Sequence, residues 1–212
     1  LNSIGLQNPG VAHLKDIELP WLAEIGATAM VNVSGHSFDE YVAVIEALEE
    51  APVAAYEVNI SCPNVDAGGM TMGCHVPSVE KVVSLCRAAT KRPLIVKLTP
   101  NVTDITEIAK AAEAAGADGI SLINTLLGMR INIRTGEPVI THITGGVSGP
   151  AVLPVGLAAV WRVRAALSEI PIIGIGGIDS GETALEYLYA GANAVEVGAA
   201  ALFEPTAPLR VA

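Results

Sequence analysis

The chain has 212 residues, of which 51% are hydrophobic and 4% aromatic, and its formal net charge is −10. This hydrophobic content is enough for one sizeable core, so we predict a single domain over residues 1–212. No cluster of Lys and Arg interrupts the acidic excess. Binding to nucleic acid is therefore disfavoured, because phosphates require a basic face.

The three cysteines, Cys62, Cys74 and Cys86, are odd in number and show no CxxC spacing. We expect no disulfide framework and no metal site, and a reducing cytoplasm fits best. No apolar run approaches the roughly 18 residues of a membrane span, and the start lacks a secretory pattern. Since residues 1–6 resemble the middle of a domain and contain no Met, we expect the chain to be a fragment.

Strand-like and helix-like segments alternate along the chain. The predicted strands, mostly continuous apolar runs typical of parallel strands, are residues 27–33, 55–60, 94–98, 119–123, 170–175 and 194–197. The predicted helices are residues 37–50, 76–90, 104–115, 154–167 and 180–190. This order predicts an all-parallel α/β fold. We expect a TIM (β/α)8 barrel with about six of its eight strands present, and a doubly wound sheet is the alternative.

Residues 125–150 break this alternation with a long Gly-rich stretch that contains Arg130, Asn132, Arg134 and His142. Loops of that length inside a compact domain are usually functional or disordered. His142 could contact a ligand, although a single His in a loop is more often simply solvated.

A thiol and two carboxamides follow one predicted strand, in the run Glu57-Val58-Asn59-Ile60-Ser61-Cys62-Pro63-Asn64. Barrel enzymes keep their chemistry at this end of the strands. Carboxamides can hydrogen-bond a planar polar ligand in both directions, and a thiolate can take a proton from it. The alternative is a small buried Cys. Cys74, next to His75, is a rival nucleophile in a Gly-rich loop, whereas Cys86 is most simply a core residue.

Other polar residues occur at or near the ends of predicted strands. Lys97 lies near the end of an apolar strand, where it could stabilise negative charge on a cofactor or, alternatively, extend to solvent at the rim. A single Asn at a strand end is usually a turn former. Asn32, Asn59 and Asn124 together, however, suggest hydrogen-bond donors around a planar ligand.

Glycines follow the last two predicted strands, in Gly174-Ile175-Gly176-Gly177 and Val197-Gly198-Ala199-Ala200. Loops at this position of a barrel commonly bind phosphate through bare backbone N–H groups, which glycine lets approach closely. The alternative is ordinary turn glycines. The pair favours a phosphate-bearing ligand.

Together these motifs resemble the dihydroorotate dehydrogenase family, class 1. Asn2-Ser3-Ile4-Gly5-Leu6-Gln7-Asn8-Pro9-Gly10 is similar to its substrate loop, and Asn59-Ile60-Ser61-Cys62-Pro63-Asn64 to the motif of its catalytic base. The resemblance runs nearly end to end. The remaining matching motifs are Lys97-Leu98-Thr99-Pro100-Asn101-Val102, Ile123-Asn124-Thr125-Leu126, Thr144-Gly145-Gly146-Val147-Ser148-Gly149-Pro150 and Gly174-Ile175-Gly176-Gly177. Two runs, Asn124-Thr125-Leu126-Leu127-Gly128-Met129-Arg130 and Thr135-Gly136-Glu137-Pro138, look most like subclass 1B.

The resemblance implies an FMN-binding TIM barrel that oxidises dihydroorotate to orotate in de novo pyrimidine (UMP) biosynthesis. Cys62 would remove the C5 proton while the C6 hydride passes to FMN, and Lys97 would offset charge on the reduced flavin. The residues implied to contact FMN are Asn32, Asn59, Lys97, Ile123, Gly149, Gly176, Gly177, Gly198 and Ala199. Those implied to contact dihydroorotate are Asn2, Ser3, Ile4, Gly5, Leu6, Asn59, Asn64, Asn124 and Thr125.

The resemblance further implies a homodimer and an iron–sulphur flavoprotein subunit, with FAD and a 2Fe–2S cluster, that passes electrons to NAD. Two departures stand out. Ala199 replaces the usual Thr, which removes a hydroxyl contact to phosphate. The family also has about two further strands before Leu1 and a longer C-terminal helix. We therefore expect this chain alone to be inactive or nearly so.

Two other functions remain open. The FMN domain of dihydropyrimidine dehydrogenase shares the Asn-x-Ser-Cys-Pro element, although Asn64 and the run Ile123-Asn124-Thr125-Leu126 favour dihydroorotate. A flavin- or phosphate-binding barrel without catalysis is the second alternative.

Overall fold

The computed structural model describes residues 1–61 and 72–212. Its strands are Met30–Val33 (β1), Ala55–Asn59 (β2), Leu94–Leu98 (β3), Gly119–Leu122 (β4), Leu126–Met129 (β5), Thr144–Val147 (β6), Ile172–Ile175 (β7) and Ala194–Glu196 (β8). Its α-helices are Val11–His13 (α1), Leu19–Glu24 (α2), Phe38–Leu48 (α3), Val76–Ala89 (α4), Ile105–Ala114 (α5), Leu153–Ala166 (α6), Gly181–Tyr189 (α7), Ala199–Phe203 (α8) and Ala207–Val211 (α9). A π-helical turn, Leu14–Glu18, joins α1 to α2, and 3-10 turns lie at Met72–Cys74 and Pro150–Val152.

Six parallel strands form the main sheet in the order β1-β2-β3-β4-β7-β8. The order follows the chain without the reversal that defines a doubly wound sheet, so the alternative fold is wrong. Helices connect the strands, as in βα units of a TIM barrel. The prediction of an incomplete (β/α)8 barrel with six strands in the described residues is confirmed.

The two faces of the sheet differ in chemistry. Along β1, Val31 and Val33 are buried whereas Asn32 is exposed, which is the two-residue period of a strand. The buried side chains pack with those of the surrounding helices, such as Ile45 of α3 and Val82 of α4, in one apolar cluster. The opposite face, which we call the inner face, carries polar side chains at the carboxyl ends of the strands.

Strand register places these polar residues side by side. Asn32 of β1 is level with Glu57 of β2, and Asn59 of β2 is level with Lys97 of β3. Lys97 is in turn level with Ser121 of β4. Because the strands are parallel, side chains near their carboxyl ends meet at one edge of the sheet.

Residues 125–150 are not an unstructured excursion. β5 and β6 pair antiparallel within them, two strands that the predicted elements did not include. Glycine has a low strand propensity, so these strands were not predicted. Glycine is needed here because the backbone of another segment approaches β6 closely. A Cβ at Gly145 would collide with the backbone of Asn2, whose N–H and C=O bond to Gly146.

The helical segment from Val11 to Glu24 was absent from the predicted elements. Pro20 lies within it, and proline inside a helical pattern normally predicts a break. Here the π-helical turn Leu14–Glu18 precedes Pro20 and changes the hydrogen-bonding pattern where the proline lacks an N–H. Among residues 1–61 and 72–212, no helix combines the length and apolar character needed to cross a membrane.

Candidate active site

Glu57 is the centre of the polar inner face, and it is only 3% exposed. The Ser121 hydroxyl donates to its Oε1 at 2.6 Å, and the Asn32 amide donates to its Oε2. The Nζ atom of Lys97 lies 3.3 Å from the same Oε2. A buried carboxylate is stable only when it is paired and hydrogen-bonded, and three strands supply those partners.

The predicted asparagines continue from Glu57 as a hydrogen-bonded chain. The Asn59 amide nitrogen donates to Asn32 Oδ1 at 3.3 Å. The Asn59 Oδ1 accepts from the Ser61 hydroxyl at 2.7 Å and from the Asn124 amide nitrogen at 3.4 Å. Asn124 also donates to Ser61 Oγ at 2.7 Å, and its own Oδ1 accepts from the Thr125 N–H. The three carboxamides that we predicted to surround a planar ligand are therefore joined to one another by hydrogen bonds.

Lys97 lies between two carboxylates. Besides Glu57, it contacts Glu196 of β8, with 3.7 Å between Nζ and Oε2. Burial, and secondarily the nearby negative charge of Glu57, raise the pKa of Glu196 to about 7. The other oxygen of Glu196 is buried without a hydrogen-bond partner among the described residues. Lys97 therefore contacts two carboxylates of the fold, and its predicted role toward a cofactor stays a prediction.

A cavity of about 370 Å³ opens beside this cluster. The glycine turns after β7 and β8 form much of its wall, together with the segment before α6. The predicted site residues that line it are Lys97, Ile123, Asn124, Thr125, Gly149, Gly176, Gly177, Gly198 and Ala199. Asn59 does not line this cavity, but it accepts a hydrogen bond from Asn124, which does.

The glycines of this wall hold backbone conformations that side chains disfavour. Gly176 and Gly177 have φ values of 120° and 74°, and Gly149 has 88°. A Cβ at Gly177 would lie 2.8 Å from Leu153. The Tyr187 hydroxyl donates to the carbonyls of Ile175 and Gly176 at 3.0 and 2.8 Å and so fixes the turn. The glycine turn therefore presents bare backbone to the cavity.

The N-terminal residues predicted to contact substrate lie at the β5–β6 hairpin and beyond it. Asn2 pairs with Gly146 of β6, and Gly146 in turn packs against the Thr125 side chain. Ser3, Ile4 and Gly5 follow Asn2 and are exposed. Leu6, with Asn32, lines a second cavity of about 320 Å³. Asn2, Ser3, Ile4 and Gly5 line neither of the two cavities, so the structure does not bring them together with the other predicted site residues.

Two predicted site residues, Cys62 and Asn64, lie outside the residues that the structure describes. Cys86 is buried in α4, as expected for a core residue, and burial raises the pKa of its thiol to about 12. Cys74 is half-buried, with its sulphur 3.7 Å from the Asn101 carbonyl. His142 is exposed. Among the described ranges, no cluster of His, Cys, Asp or Glu could hold a metal ion.

Four residues of the polar cluster were not singled out from the sequence: Glu57, Ser61, Ser121 and Glu196. A signal was available for Glu57, which is a charged residue inside an apolar strand, as Lys97 is. Ser121 carries no such signal, because serine is common in many settings. Its role becomes visible only through the register that places it beside Lys97.

The profile of the dihydroorotate dehydrogenase family matches residues 1–210. The chain belongs to the dihydroorotate dehydrogenase family. It is 50% identical over 213 aligned residues to the dihydroorotate dehydrogenase B (NAD(+)) catalytic subunit of Pelobacter propionicus, covering 100% of this chain and 70% of the relative. The subunit of the same name from Geobacillus kaustophilus is 49% identical over 97% of this chain and 66% of its own length.

A solved member of the family has the same fold. The crystal structure of dihydroorotate dehydrogenase from Eimeria tenella in complex with ferulenol superposes with a TM-score of 0.80 at 21% identity. The match covers 99% of this chain and 64% of that chain. At this identity the likeness concerns the fold, which is the family's barrel.

Proposed function

We propose that this protein is the catalytic subunit of a dihydroorotate dehydrogenase that oxidises dihydroorotate to orotate in pyrimidine biosynthesis. One observation carries the proposal beyond family membership. The chain of Asn32, Asn59 and Asn124 ends at Asn124, which lines a glycine-walled cavity together with Lys97. Such a site can hold a planar polar substrate against a phosphate-bearing cofactor.

The residues of the larger cavity fit FMN. The wall at Gly149, Gly176, Gly177 and Gly198 offers bare backbone, which suits a phosphate group. Ala199 follows without the usual hydroxyl, so backbone N–H groups would carry the phosphate contact there. Lys97 and Ile123 line the same cavity and would contact the rest of the cofactor. Asn59, which bonds to Asn124, and Asn32, which lines the second cavity, are proposed as further contacts from the family resemblance. When bound, FMN supplies the ring that accepts the hydride from C6 of the substrate.

Around the substrate, Asn59, Asn64, Asn124, Thr125 and the loop from Asn2 to Leu6 would bind and orient dihydroorotate. Cys62 would take the C5 proton as the general base. Its position directly after the Asn59–Ser61 segment supports this role, since Asn59 and Ser61 both belong to the hydrogen-bonded chain. Lys97 would offset negative charge developing in the cavity.

The relatives are named as catalytic subunits of an NAD(+)-linked enzyme, which supports a separate partner subunit here. We propose that this partner carries FAD and a 2Fe–2S cluster and that the catalytic chain forms a homodimer. A cytoplasmic location is part of the same proposal.

The substrate assignment is tested by turnover of the full-length gene product, reconstituted with FMN and an artificial electron acceptor. Dihydroorotate should be oxidised, and dihydrouracil should be turned over at least a hundredfold more slowly. A preference for dihydrouracil would instead assign the dihydropyrimidine dehydrogenase reaction. Flavin binding without turnover of either compound would favour the non-catalytic barrel.

The base is tested by comparing Cys62→Ser with Cys74→Ser in rapid-mixing measurements of flavin reduction by dihydroorotate. Cys62→Ser should keep FMN bound and slow reduction by about 10²–10⁴-fold, the range expected when a general base is weakened. Cys74→Ser is the matched control and should reduce at the normal rate. The opposite pattern would make Cys74 the base, and two normal variants would remove cysteine from the mechanism.

A further inference from the structure

The direction of the hydrogen bonds along the asparagine chain has one origin, the carboxylate of Glu57. An ionised carboxylate can only accept hydrogen bonds, whereas a carboxamide can accept at one end and donate at the other. Asn32 must therefore present its nitrogen to Glu57, which leaves its oxygen to face Asn59. Asn32 is oriented by a neighbour that has no donor of its own.

This orientation passes to the next two carboxamides. With Asn32 Oδ1 facing it, Asn59 presents its nitrogen there and turns its oxygen toward Ser61 and Asn124. Asn124 consequently directs its nitrogen at Asn59 and Ser61, and its oxygen at the Thr125 N–H. Every donor in the chain points back toward Glu57.

The remaining contacts fix Glu57 itself. Its Oε1 accepts from Ser121 at 2.6 Å, and its Oε2 accepts from Asn32 and lies 3.3 Å from Lys97. Both oxygens are thus engaged, and the residue is 3% exposed. Water therefore has little access to the Glu57 carboxylate, which holds Lys97 and the Asn32 amide in one arrangement.

We propose that Glu57 is a positioning residue that sets which ends of Asn32, Asn59 and Asn124 donate and which accept at the ligand site. Glu57 does not line the cavity and acts through these carboxamides and through Lys97. The proposal rests on the proposed function, since the ligands that would sense this orientation are FMN and the pyrimidine ring.

The test is Glu57→Gln in the full-length gene product. Gln has nearly the same shape but can donate as well as accept, so it no longer dictates the orientation of Asn32. The matched control is Glu49→Gln. Glu49 is also partly buried and bound to a cation, Arg92, but it follows α3 at the other end of the sheet.

Two measurements are made on each protein. Side-chain amide resonances of Asn32, Asn59 and Asn124 are recorded by NMR without ligand, and orotate binding to the FMN-loaded protein is followed by the flavin absorbance. Glu57→Gln should shift or broaden all three amide resonances and weaken orotate binding by about tenfold, the loss typical of one charge-assisted hydrogen bond. Steady-state KM for dihydroorotate should rise more than kcat falls. Glu49→Gln should leave the resonances and orotate binding unchanged.

Unshifted amide resonances together with normal orotate affinity in a folded Glu57→Gln protein would overturn the proposal. If that variant does not fold, Ser121→Ala takes its place, because it frees one oxygen of Glu57 while retaining the charge. It should shift the Asn32 resonance, and an unchanged resonance would equally overturn the proposal. Failure of the unmodified protein to bind FMN or orotate would defeat the proposed function, whereas the ligand-free resonances would still decide the role of Glu57.

Discussion

The environment of the Glu196 side chain favours its protonated, neutral form. It shares Lys97 with Glu57, and Glu57 holds the closer position, 3.3 Å against 3.7 Å. Burial removes the water that would otherwise solvate the Glu196 charge, and the nearby charge of Glu57 adds to this effect, whereas Lys97 opposes it. These effects raise the pKa of Glu196 from the ordinary 4.5 to about 7.

A pKa that is higher in the folded protein than in the unfolded chain makes stability fall as pH rises. For Glu196 the stabilisation is complete below about pH 4.5 and is lost as pH rises through about 7. The loss should be of the order of 3 kcal/mol, from the size of this shift. Urea unfolding at pH 5 and pH 8 should therefore show a smaller pH dependence in Glu196→Gln than in the unmodified protein. An identical dependence in both would show that Glu196 is ionised throughout this range.

At the scale of elements, Tyr187 joins α6, α7 and β7. Its ring packs where side chains are missing at Gly156 of α6 and Gly174 of β7, and a Cβ at either glycine would collide with it. Its hydroxyl donates to the carbonyls of Ile175 and Gly176. The two glycines thus let one buried tyrosine support the turn that lines the larger cavity.

Gly156→Ala should therefore destabilise the fold although alanine is the better helix former. We expect a loss of about 1–3 kcal/mol, the usual result of overpacking, measured by chemical unfolding. Gly181→Ala is the matched control, because its Cβ would find only Val211 O at 3.8 Å and α7 should gain slightly. Equal stability of the two variants would contradict the tight packing of Tyr187 on Gly156.

Tyr187→Phe isolates the hydrogen bonds from the packing. The ring stays, but the carbonyls of Ile175 and Gly176 lose their buried donor, which should lower the unfolding free energy by about 1–3 kcal/mol. FMN affinity should also weaken, because Gly176 and Gly177 line the cavity. Titration of FMN by fluorescence quenching measures this. Unchanged affinity at lower stability would show that the turn keeps its shape without the tyrosine hydroxyl.

Elements with a clear apolar pattern were predicted from the sequence, whereas glycine-rich elements were not. β3 was predicted with its observed bounds, since Leu94 to Leu98 is an apolar run bounded by Pro93 and Pro100. The β5–β6 hairpin was missed because Gly128, Gly145 and Gly146 lower strand propensity, while their reason for being glycine is a neighbour distant in sequence. The asparagine cluster could be predicted because Asn is depleted in strands, yet three occur at or near strand ends. The direction of its hydrogen bonds depends on the contacts of Glu57 and on strand register, which only the structure shows.

At the scale of the whole molecule, two arginines form matching clips at the amino ends of the strands. Arg87 of α4 donates to the carbonyls of Thr90 and Arg92 and to Asp118, whose carboxylate also accepts from the Leu94 N–H. This clip joins α4 to the starts of β3 and β4.

The second clip makes the same kinds of contact around a later helix, α6. Arg164 of α6 donates to the carbonyls of Leu167 and Ser168 and to the Asn193 side chain, which also accepts from the Ile172 N–H. It joins α6 to the starts of β7 and β8. The aliphatic part of each arginine packs on a glycine of positive φ, Gly116 or Gly191.

Lysine cannot reproduce these forked contacts, because it has one nitrogen in place of three. Arg87→Lys and Arg164→Lys should each lower the unfolding free energy by about 1–3 kcal/mol. The double variant should show the sum, since the two clips share no partner. Arg134→Lys, on the exposed hairpin, is the control and should change stability by less than about 0.5 kcal/mol. A double variant no less stable than either single one would mean that the clips depend on each other.

Both clips lie at the amino ends of the strands, whereas the cavities lie at the carboxyl ends. Stabilising contacts and candidate ligand-binding residues therefore occupy opposite ends of the same strands. A mutational library confined to the carboxyl-end turns can therefore be screened for binding of new ligands without changing the two arginine clips. The chain should therefore tolerate substitutions in these turns during laboratory evolution, provided that Arg87 and Arg164 are retained.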